Sequence, residues 1–469
     1  MLNLLKKTSS SSSYYNNSYN KKPNRFPKIF LFFLLLACPL LIILLEFLAQ
    51  AYLGITGKDN NIDGKSPLIR AYQLNFLTAN KQPIEGLTDG GDLVVKRSPT
   101  LGYELISPQK GKFWQINEQG VRDSEPLPLA KPENEIRIFI LGGSTAFGQL
   151  NANNQATISH YLEARLKQRV KQQKSSPAQY RPDIFPFFAP TRRQLTKLPP
   201  KIREGNYRVI NAAVPGYTSG NQLAKLALRI LLYQPDLIVV LDGYGDLMLQ
   251  SSQPKADIPY IDDFLADAKG YFRDSLDFSF TQWLESTALM KTFNSFTPQS
   301  SVSLDQTSLA LNNDGKSLKS YLPHDIEELK RRVNRYGENH KQLIKLSARW
   351  GIPVVLAIQP EITSRSMDKL SAEEKAILNH LGKDYLKNFP QAYSELVKVS
   401  QDLAKAFPTN VKVINFYQSN SSFPTPMFYD TIHLTEQSNK VMAEKLYHAI
   451  TAWEKIQIIP QYFYLNTSR

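Results

Sequence analysis

Ile136-Arg137-Ile138-Phe139-Ile140-Leu141-Gly142-Gly143-Ser144-Thr145-Ala146-Phe147-Gly148 decides how this chain is read. Its first six residues are branched and mostly apolar on both faces, as in a strand covered by helices on each side. The glycines that follow form a strand-to-helix turn on which Ser144 can stand unhindered. Four further runs of the same kind lie downstream: 207–211, 237–241, 353–358 and 411–416. Helical patterns occupy 156–172, 219–232, 324–350, 371–407 and 436–453, and Ser371 with Glu374 forms a capping-box start. Strand and helix alternation predicts an α/β fold, a doubly wound parallel five-stranded sheet.

The N-terminal portion is of another kind. Ile29 to Leu45 carries no charged or hydrogen-bonding side chain, and after Glu46 the run continues through Phe47-Leu48-Ala49. That length suffices for one transmembrane helix, 29–52. Lys6, Lys7, Lys21, Lys22, Arg25 and Lys28 precede it and no acid does, so the tail 1–28, rich in Ser, Asn and Tyr, is expected in the cytoplasm. The rest is then extracytoplasmic. A cleaved signal peptide lacks a clean small-x-small site here. A lipoprotein signal at Leu36-Ala37-Cys38 is followed by more apolar residues where such a signal turns polar. Cys38 is the only cysteine, so an intrachain disulfide is excluded.

With 469 residues, 42% hydrophobic and 21% charged, the remainder can bury a sizeable core. The net charge of +14 is partly the topology signal of the tail. Basic clusters at 165–174 and 330–335 read as solvated helix faces, with anionic glycans or lipid headgroups as the alternative. No zinc-finger spacing or RNA-recognition signature accompanies them, so no nucleic-acid partner is expected. Segment 53–135 reads as loop-rich, 136–455 as the main domain, and 456–469 as a tail. Two insertions interrupt the domain: 173–206, rich in Pro, Lys and Arg and expected to be irregular, and 251–321, either a lid over the site or a surface decoration.

Ligands of open parallel sheets bind beyond the carboxyl ends of the strands. The chemistry-bearing residues fall there: Ser144 after the first strand, Asn211-Ala212-Ala213-Val214-Pro215-Gly216-Tyr217 after the second, Asp242-Gly243-Tyr244-Gly245-Asp246 after the third, Gln359-Pro360-Glu361 after the fourth. The fifth leads to Asp430-Thr431-Ile432-His433. A serine on such a turn, a histidine to act as its base and an aspartate to orient the histidine are the parts of acyl transfer through a serine nucleophile. Ser144, Asp430 and His433 are therefore the candidate catalytic residues. Asn211, Asp246 and Gln359 are candidate substrate-binding residues, with a strand-end turn role for Asn211 and a purely local role for Gln359 as alternatives. A nucleotide site is disfavoured because Gly-x-Gly-x-x-Gly and Gly-Lys-Ser/Thr are both absent. The elbow Gly-x-Ser-x-Gly is absent as well. His160, His324, His340, His380 and His448 lack ligand spacing, so no metal and no cofactor are expected.

Taken in order, these blocks resemble the SGNH/GDSL hydrolase superfamily, specifically its membrane-anchored members, over roughly 117–450. The upstream Asn117-Glu118-Gln119-Gly120-Val121-Arg122 also resembles a segment of anchored members. The resemblance implies a flavodoxin-like sheet, Ser144 as nucleophile, and an oxyanion hole from Ser144, Gly216 and the position of Gly245. Two departures stand out. Gly143 replaces the family's aspartate, and Gly245 replaces an asparagine whose side chain donates to the oxyanion. Asn221, Tyr244 or the backbone of Gly245 are the candidates to replace that donor, and Gly245 is a candidate for positive φ. The function implied is a membrane-anchored extracytoplasmic serine esterase acting on O-acyl groups of a cell-envelope glycan or lipid. The alternatives are an O-acyltransferase of the same fold, or an anchored glycan-binding or assembly protein of weak activity.

Overall fold

The computed structural model describes residues 100–184, 186–252, 256, 317–418 and 422–459, with shorter stretches between 41 and 98. Two compact units divide at Asn60 and Asn61. In the first, residues 41, 43–48 and 50–52 are helical, and Leu41, Ile43, Leu44, Phe47 and Leu48 are exposed. Among the described residues no helix is long and apolar enough to cross a membrane. The run expected to do so lies mostly outside them, as do the tail 1–28, residues 257–316 of the second insertion and residues 460–469.

The second unit opens with a small mixed sheet where the sequence reads as loop. Strands β1 (Leu74–Leu77), β2 (Pro83–Ile84), β3 (Leu93–Ser98) and β4 (Gly102–Leu105) lie in the order β2-β1-β3-β4, with β1 and β3 parallel and the outer pairings antiparallel. A two-residue hairpin, β5 (Gln109–Lys110) and β6 (Gln115–Ile116), follows. Strands of two to six residues carry too little alternation to announce themselves.

The main sheet is formed by β7 (Glu135–Gly142), β8 (Asn206–Asn211), β9 (Leu237–Asp242), β10 (Val354–Ile358) and β11 (Val411–Asn415), in the order β11-β10-β9-β7-β8 and parallel throughout. This is the flavodoxin-like order, and its reversal point lies between β7 and β9, where Ile138 pairs with Leu237 and Gly142 with Leu241. Alternate residues of β7 enter opposite cores: Ile136, Ile138 and Ile140 on one face, Phe139 and Leu141 on the other. That two-sided burial explains why the strand reads as a continuous apolar run.

Among the described residues of the second unit the α-helices are α1 (Ser144–Phe147), α2 (Ile158–Ser175), α3 (Ala189–Leu195), α4 (Ser219–Lys225), α5 (Tyr244–Met248), α6 (Ile326–Arg349), α7 (Ala372–Ala406) and α8 (Glu436–Thr451). Helix α3 falls in the insertion expected to be irregular. The helix expected over 219–232 relaxes into a π turn at Leu226–Ile230 and a 3₁₀ turn at Leu231–Tyr233. Helix α7 begins at the Ser371–Glu374 capping box and breaks at Gly382, whose φ is 80°.

Candidate active site

The turn that bears Ser144 is set by close approach of two strands. A Cβ on Gly142 would collide with the Leu241 carbonyl of β9, and the backbone there has φ 154°. Ser144 begins the four-residue helix α1 and is 6% exposed. The C-terminal carbonyls of this helix are collected by two side chains. Asn211 Nδ2 donates to Ala146 O (3.2 Å) and Phe147 O (3.1 Å), and Arg122 Nη1 donates to Phe147 O (3.0 Å) and Gly148 O (2.8 Å). The Arg122 guanidinium lies over the rings of Tyr72 and Phe147 and also donates to Tyr72 Oη at 2.8 Å. Arg122 was not singled out among the site residues. The signal was present, since it closes the Asn117–Arg122 segment.

Asp430 and His433 lie on the loop after β11. His433 Nδ1 is 2.6 Å from Asp430 Oδ2, while Asp430 Oδ1 accepts from the backbone N–H groups of Ile432 (3.0 Å) and His433 (2.8 Å). Burial by itself would raise the Asp430 pKa. The charge and Nδ1–H of His433 and the two backbone donors outweigh it and hold the carboxyl below its ordinary value. With Nδ1–H given to the carboxylate, Nε2 is the accepting nitrogen. His433 is fully buried, and Nε2 has no hydrogen-bond partner among the described residues.

Short ties bring this loop to the nucleophile turn. Thr145 Oγ1, adjacent to Ser144, donates to the carbonyl of Ile432, adjacent to His433, at 3.3 Å. Asn151 Nδ2 donates to Leu434 O at 3.5 Å. Glu374 uses one oxygen in its capping box and the other to accept from Met427 N (2.8 Å) and Phe428 N (3.1 Å), fixing the start of the histidine loop.

The second block turns at Gly216, whose φ of 78° suits glycine, and Tyr217 N donates to Val214 O at 3.1 Å. Tyr103 Oη donates to Pro215 O (2.6 Å) and Tyr217 Oη donates to Tyr103 O (2.5 Å), so β4 grips this loop on both sides of Gly216. The third block differs from expectation. Gly245 is an ordinary helical residue of α5; Gly243 is the one with positive φ, 119°. A Cβ on Gly143 would lie 3.1 Å from Tyr217 O, and one on Gly245 would lie 3.5 Å from the same oxygen. The two departures from the family pattern therefore border one spot beside the nucleophile.

Of the proposed replacement donors, Asn221 is spent elsewhere. Its Oδ1 accepts from Thr218 N (3.0 Å) and its Nδ2 donates to Leu101 O (2.8 Å). Tyr244 is buried against Phe389. Among the expected substrate-binding residues, Asn211 serves α1 as described. Asp246 accepts from Ser219 N (3.0 Å) and Ser219 Oγ (2.5 Å), tying α4 to α5. Both side chains are used inside the protein, each having closer obligations than a substrate. Gln359 Nε2 donates to Thr145 Oγ1 at 3.4 Å, one residue from the nucleophile. Glu361, next along, is sealed in, and burial pushes its carboxyl up to about 8 against donation from Thr363 and Tyr385.

No protein-family model matches the chain, and no curated protein matches it. Solved structures similar to it include a lipase/acylhydrolase from Enterococcus faecalis (14% identity, 67% of this chain and 95% of that one, TM-score 0.34). Another is an acetylxylan esterase from Geobacillus stearothermophilus, solved as a catalytic mutant (10% identity, 69% and 96%, TM-score 0.32). A third is a GDSL-like lipase from Bacteroides thetaiotaomicron (11% identity, 70% and 92%, TM-score 0.29). By its own sheet order the chain is an α/β protein built on a five-stranded parallel sheet of flavodoxin-like order.

Proposed function

We propose that the chain is a serine ester hydrolase of SGNH type. The observation that carries this is the Asp430–His433 pair with its unpartnered Nε2, on a loop tied by Thr145 to the turn bearing Ser144. Ser144 Oγ attacks the ester carbonyl while His433 Nε2 takes its proton. Asp430 keeps the ring in the Nδ1–H tautomer and stabilises the imidazolium that forms. The imidazolium then gives the proton to the departing alcohol, and a water deacylates the serine by the same route. The oxyanion is met by the N–H groups of Ser144, at the start of a helix where such donors have no intrahelical partner, and of Gly216.

The apolar N-terminal run and its basic flank support a single-pass anchor with the catalytic domain outside the cytoplasm. That setting favours O-acyl groups of a cell-envelope glycan or lipid as substrate. Transfer of the acyl group to a sugar hydroxyl is the second reading. A fluorophosphonate probe on the full chain in membranes tests the first reading: a stoichiometric adduct on Ser144, lost in Ser144→Ala, is expected. An adduct on another serine, or none on folded protein, overturns it. A reporter active only outside the cytoplasm, fused after Tyr72, is expected to be active, and silence there overturns the topology.

A further inference from the structure

The first insertion carries an apolar tip that the protein leaves in water. Ile184, Phe187 and Phe188 are 84%, 91% and 70% exposed, with the rings of Phe187 and Phe188 packed edge-on against each other. Scattered single apolar residues are ordinary on a surface; adjacent aromatic ones at the end of one excursion are not. No acid occurs between Asp183 and Glu204, while Arg192, Arg193, Lys197, Lys201 and Arg203 do. Lys201 is paired with Asp183 (2.7 Å) and Arg203 with Asp236 (2.9 Å). Arg193 and Lys197, on and just after α3, are exposed.

The same excursion walls a basic cavity of about 360 Å³, lined by Arg165, Arg169, Arg181, Pro199, Pro200 and Tyr447 among others. Arg165 lies over the Tyr447 ring (3.9 Å) and pairs with Glu444 (2.9 Å), and Arg169 lies over the Tyr180 ring (4.1 Å). Arg165 Nη1 and Arg169 Nε are nevertheless buried with no hydrogen-bond partner among the described residues. These guanidinium groups lie in the cavity wall, and their charge makes the cavity favourable to an anion.

We propose that the excursion 181–200 docks the domain on an anionic phospholipid surface: the Ile184, Phe187 and Phe188 tip enters the interface, Arg193 and Lys197 lie on the headgroups, and the arginine-lined cavity takes a headgroup phosphate. Aromatic side chains flanked by cations are the composition of interfacial contact, where apolar burial and headgroup attraction add. The charge pattern selects a bilayer over an acid-poor protein partner or a second copy of this net-basic chain. The proposal does not depend on the N-terminal anchor.

The test places an environment-sensitive fluorophore (NBD) at the tip of the full chain, in the double variant Cys38→Ala/Phe187→Cys. Vesicles of phosphatidylcholine with phosphatidylglycerol are expected to brighten the label by about twofold or more and shift it to the blue, as for a probe leaving water for the acyl boundary. Phosphatidylcholine alone and inorganic phosphate are expected to give little change, and Arg193→Glu/Lys197→Glu is expected to remove the response. The same label at exposed Lys398, in a Lys398→Cys chain, is expected to remain in water. A water-like tip on anionic vesicles overturns the proposal. An equal response on phosphatidylcholine overturns the role of charge. A lipid-free blue shift that grows with protein concentration makes the tip a self-association face and overturns it too. Because the label reports only its own surroundings, these outcomes are independent of whether Ser144 reacts with the fluorophosphonate.

Discussion

The pair His433–Asp430 sits on a loop at the carboxyl edge of the sheet; the pair His340–Asp242 sits between helix α6 and the end of strand β9. Both are fully enclosed, at 2.6 Å and 3.1 Å. They differ in the second ring nitrogen. His340 Nδ1 lies 2.9 Å from Tyr336 O, and Nε2 lies at ion-pair distance, 3.1 Å, from Asp242 Oδ2 but out of hydrogen-bond alignment, so both nitrogens face acceptors, a setting that suits the imidazolium. His433 offers one nitrogen to a carboxylate and keeps the other unpartnered beside the nucleophile turn. A buried His–Asp pair is therefore not a site by itself. An unpartnered nitrogen, on a loop tied through Thr145 to the turn that bears Ser144, distinguishes the candidate base from an internal cation.

The largest expected effect separates the two pairs directly. Ser144→Ala and His433→Ala should each lower ester turnover by about 10⁴-fold or more with folding intact, since triad members act as a unit. His340→Ala should leave fluorophosphonate labelling per folded molecule nearly unchanged. It should cost about 3–5 kcal/mol of stability in urea denaturation, because Asp242 is left as a buried unpaired charge. Labelling abolished in well-folded His340→Ala would erase the distinction.

The pairs should also differ in how pH acts on stability. Burial would depress the His340 pKa, but Asp242, Asp246 and the Tyr336 carbonyl together raise it. The groups facing it come from β9 (Asp242), α5 (Asp246) and α6 (Tyr336), and Ser400 of α7 meets the Tyr336 hydroxyl at 3.1 Å. A raised folded pKa gives stability that is complete below the unfolded value of about 6.5 and is lost as pH rises through the folded one. Urea midpoints should therefore fall on the alkaline side of neutrality in the parent. His340→Gln should flatten this dependence, and an unchanged slope would show that His340 does not carry the charge.

A smaller effect concerns the support of Ser144. Arg122→Met takes the guanidinium away from Phe147 O and Gly148 O at the end of α1, leaving the first to Asn211 and the second to the Asn151 N–H. We expect kcat to fall by about tenfold with KM little changed, because the serine loses orientation rather than substrate contact. Arg122→Lys, with one point charge in place of a fork, should recover only part of it. A change confined to KM would assign Arg122 to substrate binding instead.

The five main strands are legible because two-sided burial writes an unbroken apolar run, and the candidate site is legible because Ser144, Asp430 and His433 are chemistry-bearing residue types placed after strand ends. What was illegible depends on contacts distant in sequence. Tyr103 gripping the Gly216 loop, and Arg122 and Asn211 sharing the carbonyls of α1, leave no periodicity or spacing behind. In the third block the positive φ falls at Gly243 and not at Gly245, for a local reason. Gly243 and Gly245 look alike in sequence, and only the packing of Tyr393, whose hydroxyl would lie 2.7 Å from a Cβ on Gly243, decides which takes positive φ.

That assignment refines the smallest expected effect, a gain at Gly245. The position is helical and accepts a side chain without backbone strain. Asn221 is engaged with Leu101 O, so on the proposed reading an asparagine amide in the first turn of α5, bordering the same Tyr217 carbonyl as Gly143, should strengthen the oxyanion hole. One contact opposes it: a Cβ at 245 meets Thr218 Cγ2 at 3.3 Å. Thr218→Ser removes that methyl and keeps the hydroxyl that caps α4. We therefore expect Gly245→Asn/Thr218→Ser to raise kcat on a simple acetyl ester by about tenfold with little change in KM, since the added bond forms to the transition state. Gly245→Asn alone should gain less, and Thr218→Ser alone nothing. The measurement is steady-state kinetics on the three variants after circular dichroism shows equal folding. An unchanged kcat in the double variant would mean that Ser144 and Gly216 already complete the hole.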